Sequence, residues 1–113
     1  IAENFLRRKG YEILGKNYSS KFVSGPKRGE IDLVAKKDDI ISFVEVKTLL
    51  SEGSFLPEDK VDLPKQRKIV KTAESWLMEN KIALDLPWQI DIIAISIDSD
   101  AKKTKIRHLE NAV

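Results

Sequence analysis

Residues 29–48 read GEIDLVAKKDDIISFVEVKT and predict a β-hairpin. Two runs rich in branched residues, Gly29–Lys36 and Ile40–Thr48, flank the polar turn Lys37-Asp38-Asp39, which is a pattern typical of paired strands. Successive side chains of a strand point to opposite faces of the sheet. Both faces of the second run are largely apolar in the middle, and this indicates a central strand that is covered on both sides.

The hairpin carries charged residues where its pattern predicts a hydrophobic core. Glu45 and Lys47 continue the face that Ile41 and Phe43 make apolar, and Asp32 lies on the preceding strand. A buried carboxylate is costly unless it is paired, hydrogen-bonded or bound to a metal. The hairpin can bring Asp32 and Glu45 to the same end of adjacent strands, where the two acids would repel each other. A divalent cation would remove that repulsion, and oxygen ligands are those that Mg²⁺ or Mn²⁺ prefers.

The same residues also fit a purely structural arrangement. Asp32, Glu45 and Lys47 would then form a cross-strand ion pair at the end of the sheet, since structural ion pairs produce similar clusters. Asp91 interrupts an apolar run at residues 90–95 and would support the fold as a structural carboxylate, fixing the hairpin or the long helix. Glu30 lies on the face of Asp32 and would either join a metal site or stay at the surface. Spacing alone does not decide between these interpretations.

The whole chain of 113 residues predicts one α/β domain with a mixed central sheet. The predicted elements are a helix, three strands, a helix and two strands: Ala2–Lys9, Tyr11–Asn17, Gly29–Lys36, Ile40–Thr48, Asp62–Asn80, Trp88–Ile97 and Thr104–Leu109. Short connections favour an antiparallel meander for the first three strands, and the long helix then crosses over to place the next strand parallel to a neighbour. Because the chain begins at Ile1 rather than Met, we expect further residues upstream.

Composition excludes several classes of function. The chain has no cysteine and one histidine, His108, which excludes disulfides, thiolate zinc sites and a cysteine nucleophile and argues against a histidine-rich metal site. His108 lies in a polar terminal strand, so we expect it at the surface. No apolar run approaches the roughly 18 residues of a membrane span, which favours a cytoplasmic protein that does not enter a membrane.

Basic residues are concentrated in two places. Residues 1–30 carry seven Lys or Arg and three Asp or Glu, although the whole chain has a net charge of only +2. The predicted long helix opens with Lys65, Arg67, Lys68 and Lys71, and cations near a helix N-terminus oppose the helix dipole. Both features are compatible with an anionic partner such as nucleic acid, and an ordinary solvated surface explains them as well.

Asp32, followed after twelve residues by Glu45-Val46-Lys47, resembles the active-site motif of the PD-(D/E)xK nuclease superfamily. The resemblance extends to the YraN family, small bacterial proteins related to Holliday-junction resolvases. It is carried by GYEIL at residues 10–14, Asn17, GEIDLVA at 29–35, FVEVKT at 43–48, Lys65, Ala73, Asp91 and HLENA at 108–112. The sequence departs from the family pattern at Leu49-Leu50 and Gln89-Ile90, where the family commonly has arginine. The segment Tyr18–Arg28 is also longer than the family leads us to expect, and the family's first-helix acid would precede Ile1.

The resemblance implies a restriction-endonuclease-like sandwich and a Mg²⁺- or Mn²⁺-dependent endonuclease acting on DNA, in recombination or repair. Asp32, Glu45 and the main-chain carbonyl of Val46 would bind the metal, and Lys47 would position the attacking water or stabilise the transition state. The residues expected to contact the nucleic-acid backbone are Lys65, Lys68 and Arg28. The alternative is a non-catalytic nucleic-acid-binding module of the same fold. A two-fold dimer would suit a symmetric junction.

Overall fold

The computed structural model describes residues 1–20, 29–50, 63–83, 85–98 and 103–112. These residues form, in order, α1 (Ala2–Arg8), β1 (Glu12–Ser19), β2 (Glu30–Lys37), β3 (Ile40–Leu50), α2 (Leu63–Glu79), β4 (Trp88–Asp98) and β5 (Lys103–Leu109). The prediction of an α/β class with a mixed sheet is confirmed. Within the described part of the chain, no helix is long and apolar enough to cross a membrane.

The five strands form one sheet in the order β1-β2-β3-β4-β5. β1 pairs with β2, and β2 with β3, in antiparallel fashion, as the meander prediction requires. β3 and β4 are parallel over ten residue pairs, Ile41–Leu50 against Trp88–Ile97, and β5 is antiparallel to β4. A parallel pair needs a crossover connection, and α2 is the helix between β3 and β4.

One helix packs on each face of the sheet. The α1 face consists of the buried residues Ala2, Leu6, Tyr11, Leu33, Ala35, Val44, Ile93 and Ile95. The α2 face consists of the buried residues Ile31, Val34, Ile41, Phe43, Ile69, Ala73, Trp76, Leu77, Ile90, Ile92 and Ala94. Because β3 and β4 lie between the two helices, both of their faces are apolar, and this explains their nearly continuous hydrophobic sequences.

Aromatic rings fill the α2 face. The ring of Phe43 lies edge-on to Trp76 at 5.7 Å and to Trp88 at 5.6 Å between centroids. Edge-to-face packing at this distance is a favourable arrangement of aromatic rings. Both tryptophans therefore pack in or against the core of the α2 face.

A glycine ends α1. Gly10 has a φ of +93° and follows the last turn, where the amide of Tyr11 donates to the carbonyl of Leu6 at 3.0 Å. A positive φ costs glycine little, so this residue ends the helix and turns the chain into β1.

Candidate functional site

The candidate site lies where β2 and β3 separate. Among the described residues, the pairing register of β2 with β3 ends at Leu33 opposite Val44, while β3 continues along β4. Beyond that point the main-chain amide of Val46 donates to the carboxylate of Asp32 (Oδ2) at 2.7 Å. The side chain of Asp32 thus replaces a main-chain acceptor of β2 and ties the two diverging strands together.

Glu45 is the second carboxylate of the site and is largely buried. Its side chain is 14% exposed, and its Oε1 lies 3.1 Å from the Nζ of Lys65, whose side chain is 50% exposed. Burial raises the pKa of Glu45 and the neighbouring charge of Asp32 raises it further, against the opposing effects of Lys65 and Lys47. The predicted repulsion between Asp32 and Glu45 is therefore present in the folded chain.

Two lysines balance these acids from different elements. Lys47 is partly buried on β3, two residues after Glu45, and its charge favours the ionised form of that acid. Lys65 reaches the same acid from the first turn of α2, a turn that contains no acidic residue. The sequence predicts Lys65 at the nucleic-acid backbone, and its ion pair with Glu45 does not follow from the sequence because twenty residues separate the two in the chain.

The two carboxylates of the site supply some of the oxygen ligands that a hard divalent cation needs. The described residues contain no group of three or more Asp, Glu, His or Cys side chains that would hold a metal by themselves. Mg²⁺, however, usually keeps several waters and binds through one or two carboxylates together with phosphate oxygens of a substrate. Asp32 and Glu45 supply that number of carboxylates, and their mutual repulsion is the kind that a cation relieves.

The remaining predicted residues lie outside this pair. Glu30 is exposed on β2, and the structure does not bring it into a three-acid group with Asp32 and Glu45. Lys68 is exposed one turn of α2 beyond Lys65. Arg28 lies outside the described residues.

Asp91 lies on the other face of the sheet and belongs to a separate buried cluster. It is fully buried, and its carboxylate accepts hydrogen bonds from His108 Nε2 at 2.8 Å, from the amide of Asn111 at 2.9 Å and from Gln89 Nε2 at 2.9 Å. Asp91 therefore fixes β5 and the turn that follows it. The sequence predicts a structural carboxylate that fixes the hairpin or the long helix, whereas the structure gives Asp91 partners on β5 and in the turn after it.

The prediction that His108 lies at the surface is wrong. Its side chain is only 3% exposed, and its ring contacts the rings of Phe5 and Tyr11. Its Nδ1 lies 2.8 Å from the Nζ of Lys9. Because a lysine ammonium can only donate, Nδ1 accepts this bond and Nε2 carries the proton that faces Asp91. The end of α1 covers this part of β5, which the polar sequence of β5 does not reveal.

Comparisons with known proteins place the chain among relatives whose names give a family and no activity. The family model described as "Uncharacterised protein family UPF0102" matches residues 1–95. A UPF0102 protein of Alkaliphilus oremlandii is 38% identical over 112 residues, covering 99% of this chain and 90% of that protein. A UPF0102 protein of Campylobacter jejuni is 42% identical, covering 83% of this chain and 75% of that protein. One of Roseiflexus castenholzii is 31% identical, covering 100% of this chain and 86% of that protein.

Proposed function

The chain belongs to the UPF0102 family, which is the YraN family, and we propose that it is a metal-dependent endonuclease that hydrolyses phosphodiester bonds in branched DNA. The observation that carries the proposal is the pair Asp32 and Glu45, held together where β2 and β3 separate and balanced by Lys47 and Lys65. A helix on each face of a mixed sheet is compatible with the restriction-endonuclease-like sandwich, to which we assign the fold.

In this proposal Asp32, Glu45 and the main-chain carbonyl of Val46 hold Mg²⁺ or Mn²⁺. When bound, such an ion polarises a phosphate oxygen and lowers the pKa of a coordinated water. Lys47 supplies a fixed positive charge beside the reacting phosphate, where it orients the attacking water or stabilises charge that develops in the transition state. Lys65 would move from Glu45 to a phosphate oxygen of the substrate, since half of its side chain is already in contact with solvent.

Two properties of the residues support a metal site over a structural ion pair. The pKa of Glu45 stays raised, because burial and then the charge of Asp32 outweigh the opposing effects of Lys65 and Lys47, whereas a pair that served structure alone would favour the ionised acid. Asp32 also uses one oxygen, Oδ2, for the amide of Val46. A carboxylate has a second oxygen with its own lone pairs, so this hydrogen bond orients Asp32 and leaves it able to act as a ligand.

The test is Mg²⁺ and Mn²⁺ titration calorimetry of the wild type, Asp32→Asn and Glu45→Gln, with and without a four-way DNA junction. Asp39→Asn is the matched control, because Asp39 is an exposed turn residue with a φ of +66°, a conformation that asparagine tolerates. Circular dichroism confirms that each variant is folded. Cleavage is then assayed on junction, flap and duplex DNA.

We expect the two site variants to lose metal binding and cleavage while Asp39→Asn keeps both. Metal binding that survives Asp32→Asn and Glu45→Gln would refute the assigned site. Junction binding without metal uptake or cleavage in the wild type would refute the endonuclease and favour the alternative, a non-catalytic DNA-binding module.

A further inference from the structure

A second polar surface lies beside the candidate site, between α2 and the facing ends of β1 and β2. We call it the basic groove: a cavity of about 260 Å³ with three cationic side chains, Arg67, Lys68 and Lys71, along its α2 side. The rest of the described lining consists of Gly29 and three residues with hydroxyl groups, Ser20, Thr72 and Ser75. None of these lining residues is acidic, so the groove has a single sign of charge.

The floor of the groove depends on the absence of a side chain at residue 29. A Cβ built on Gly29 would overlap Thr72 Oγ1 and would lie 3.0 Å from the carbonyl oxygen of Lys68. The start of β2 therefore approaches the main chain of α2 more closely than any other residue would allow. Gly29 and Thr72, which meet at this close approach, both line the groove together with the three cations.

The placement of the cations is unfavourable for the isolated protein. Arg67 and Lys71 are four residues apart on one helix, a spacing at which like charges repel. Lys65, which lies nearer the helix N-terminus, differs from these two cations because its charge is paired with Glu45. Glu74 lines a neighbouring shallow depression that Arg67 and Lys71 also border, and it is not part of the basic groove lining. An anionic ligand in the groove would offset this repulsion.

The groove continues the line of the candidate site. Lys65 contacts Glu45, and Lys71 lies six residues further along α2. Six residues at about 1.5 Å per residue span roughly 9 Å of helix axis, enough for about two to three phosphates of one nucleic-acid strand. The axial distance from Lys65 to Lys71 therefore matches a short stretch of a strand that passes near the two carboxylates.

We infer that the basic groove binds the backbone phosphates of the strand that flanks the cleaved bond, without contacting its bases. This inference rests on the proposed function for the nature of its ligand, a nucleic-acid strand. Arginine and lysine side chains are groups that contact phosphate oxygens in nucleic-acid complexes, and such contacts fix register and carry no sequence information.

The experiment measures binding of a fluorescein-labelled oligothymidylate by fluorescence polarisation in EDTA, over a range of KCl concentrations. The test variant is Arg67→Gln with Lys71→Gln. The control is Lys36→Gln with Lys81→Gln, which removes the same charge from two exposed lysines outside the groove. A third variant, Arg67→Lys with Lys71→Arg, keeps the charge of the groove.

Each phosphate contact contributes about 0.7 to the slope of log K against log salt for single strands, so loss of two contacts should lower the slope by about 1.4. With an unchanged affinity at 1 M salt, that difference is about 25-fold weaker binding at 0.1 M KCl. We expect this loss in the test variant, much smaller losses in the control and wild-type slopes in the charge-keeping variant.

Equal losses in the test and control variants would overturn the inference, because the effect would then be one of net charge. Absence of oligonucleotide binding by the wild type in EDTA would also overturn it. The outcome separates the two proposals. Groove-dependent binding with no cleavage of any DNA would refute the endonuclease and support the groove, whereas cleavage with an unchanged salt slope would refute the groove alone.

Discussion

Replacing Asp91 with asparagine should destabilise the fold without affecting the candidate site. The carboxylate accepts three hydrogen bonds in the buried cluster on the α1 face, from His108, Gln89 and the amide of Asn111. Asparagine keeps one acceptor oxygen and replaces the other with a donor. If that oxygen keeps Gln89 and Asn111, the new NH₂ group faces the proton on His108 Nε2.

The histidine cannot relieve this conflict at no cost. Moving its proton to Nδ1 would place it against the ammonium of Lys9, 2.8 Å away. One hydrogen bond to a charged group is therefore lost and a buried donor is left unpaired, at about 1–3 kcal/mol. The two remaining bonds change from charged to neutral acceptors, which brings the total to about 2–4 kcal/mol. A domain of this size has about 5–15 kcal/mol of stability, so the variant should fold.

The measurement is urea unfolding followed by tryptophan fluorescence, since Trp76 is buried in the core. We expect the free energy of unfolding of Asp91→Asn to fall by about 2–4 kcal/mol with an unchanged m-value. The control Asp85→Asn changes an exposed acid and should stay within about 0.5 kcal/mol of wild type. An Asp91→Asn variant as stable as the control would refute the reasoning.

The pH dependence gives a second check on Asp91. Burial alone would raise the pKa of this carboxyl, but hydrogen bonds from His108, the Asn111 amide and Gln89 outweigh burial and hold the pKa below its usual value. The stabilisation is therefore complete above about pH 4 and is lost as the pH falls through the lowered pKa. The stability difference between wild type and Asp91→Asn should shrink in that acidic range, and a constant difference would contradict this assignment.

Three further predictions concern the α2 face. Glu45→Gln should leave the urea midpoint at pH 7 unchanged or raise it. The pKa of Glu45 is raised in the folded chain, so ionisation of this carboxyl costs stability once the pH exceeds its pKa in the unfolded chain. A lower midpoint would contradict this. Lys65→Gln should raise the pKa of Glu45 further in a carbon-13 NMR titration, whereas Lys71→Gln should leave it unchanged, and equal shifts would argue against the ion pair. Gly29→Ala should lower stability by about 1–3 kcal/mol in thermal unfolding through overpacking. Gly15→Ala should cost less, because the atoms nearest to its Cβ would be Trp76 Nε1 at 3.5 Å and Val34 at 3.9 Å, which are ordinary contact distances.

The parts of the fold that follow periodicity could be predicted from the sequence. The hairpin, the apolar face of α2 and the crossover to β4 depend on local patterns and short connections, and the structure has all three. Simple alternation fails at Ile31, which the sequence places on the face of Leu33 but which packs with the α2 cluster. Ile31 lies outside the pairs of β2 with β3, although Tyr18 of β1 still pairs with it, so at this position β2 is held from one side.

Partners that are distant in the sequence could not be predicted. Asp91 in an apolar run signals that a buried partner must exist, but nothing in the run identifies His108. The ring of His108 is buried because α1 covers it, and the pattern of polar and apolar residues in β5 does not indicate where α1 lies. The ion pair of Lys65 with Glu45 depends in the same way on where α2 begins, which local pattern sets only within a few residues.

The mixed sheet explains why the two carboxylates meet where they do. β3 is held by β4 over ten residue pairs, so Glu45 and Lys47 sit on a strand whose position is fixed from one side. On the other side the part of β2 before Leu33 is not paired with β3, and the amide of Val46 donates to the side chain of Asp32 instead. A polar site needs a rigid support and access from solvent, and groups carried by strands are held more precisely than groups on loops. The parallel pair of β3 with β4 provides the rigid support, and the separation of β2 from β3 provides the access. Two acids that a regular ladder would bury can therefore lie next to each other here.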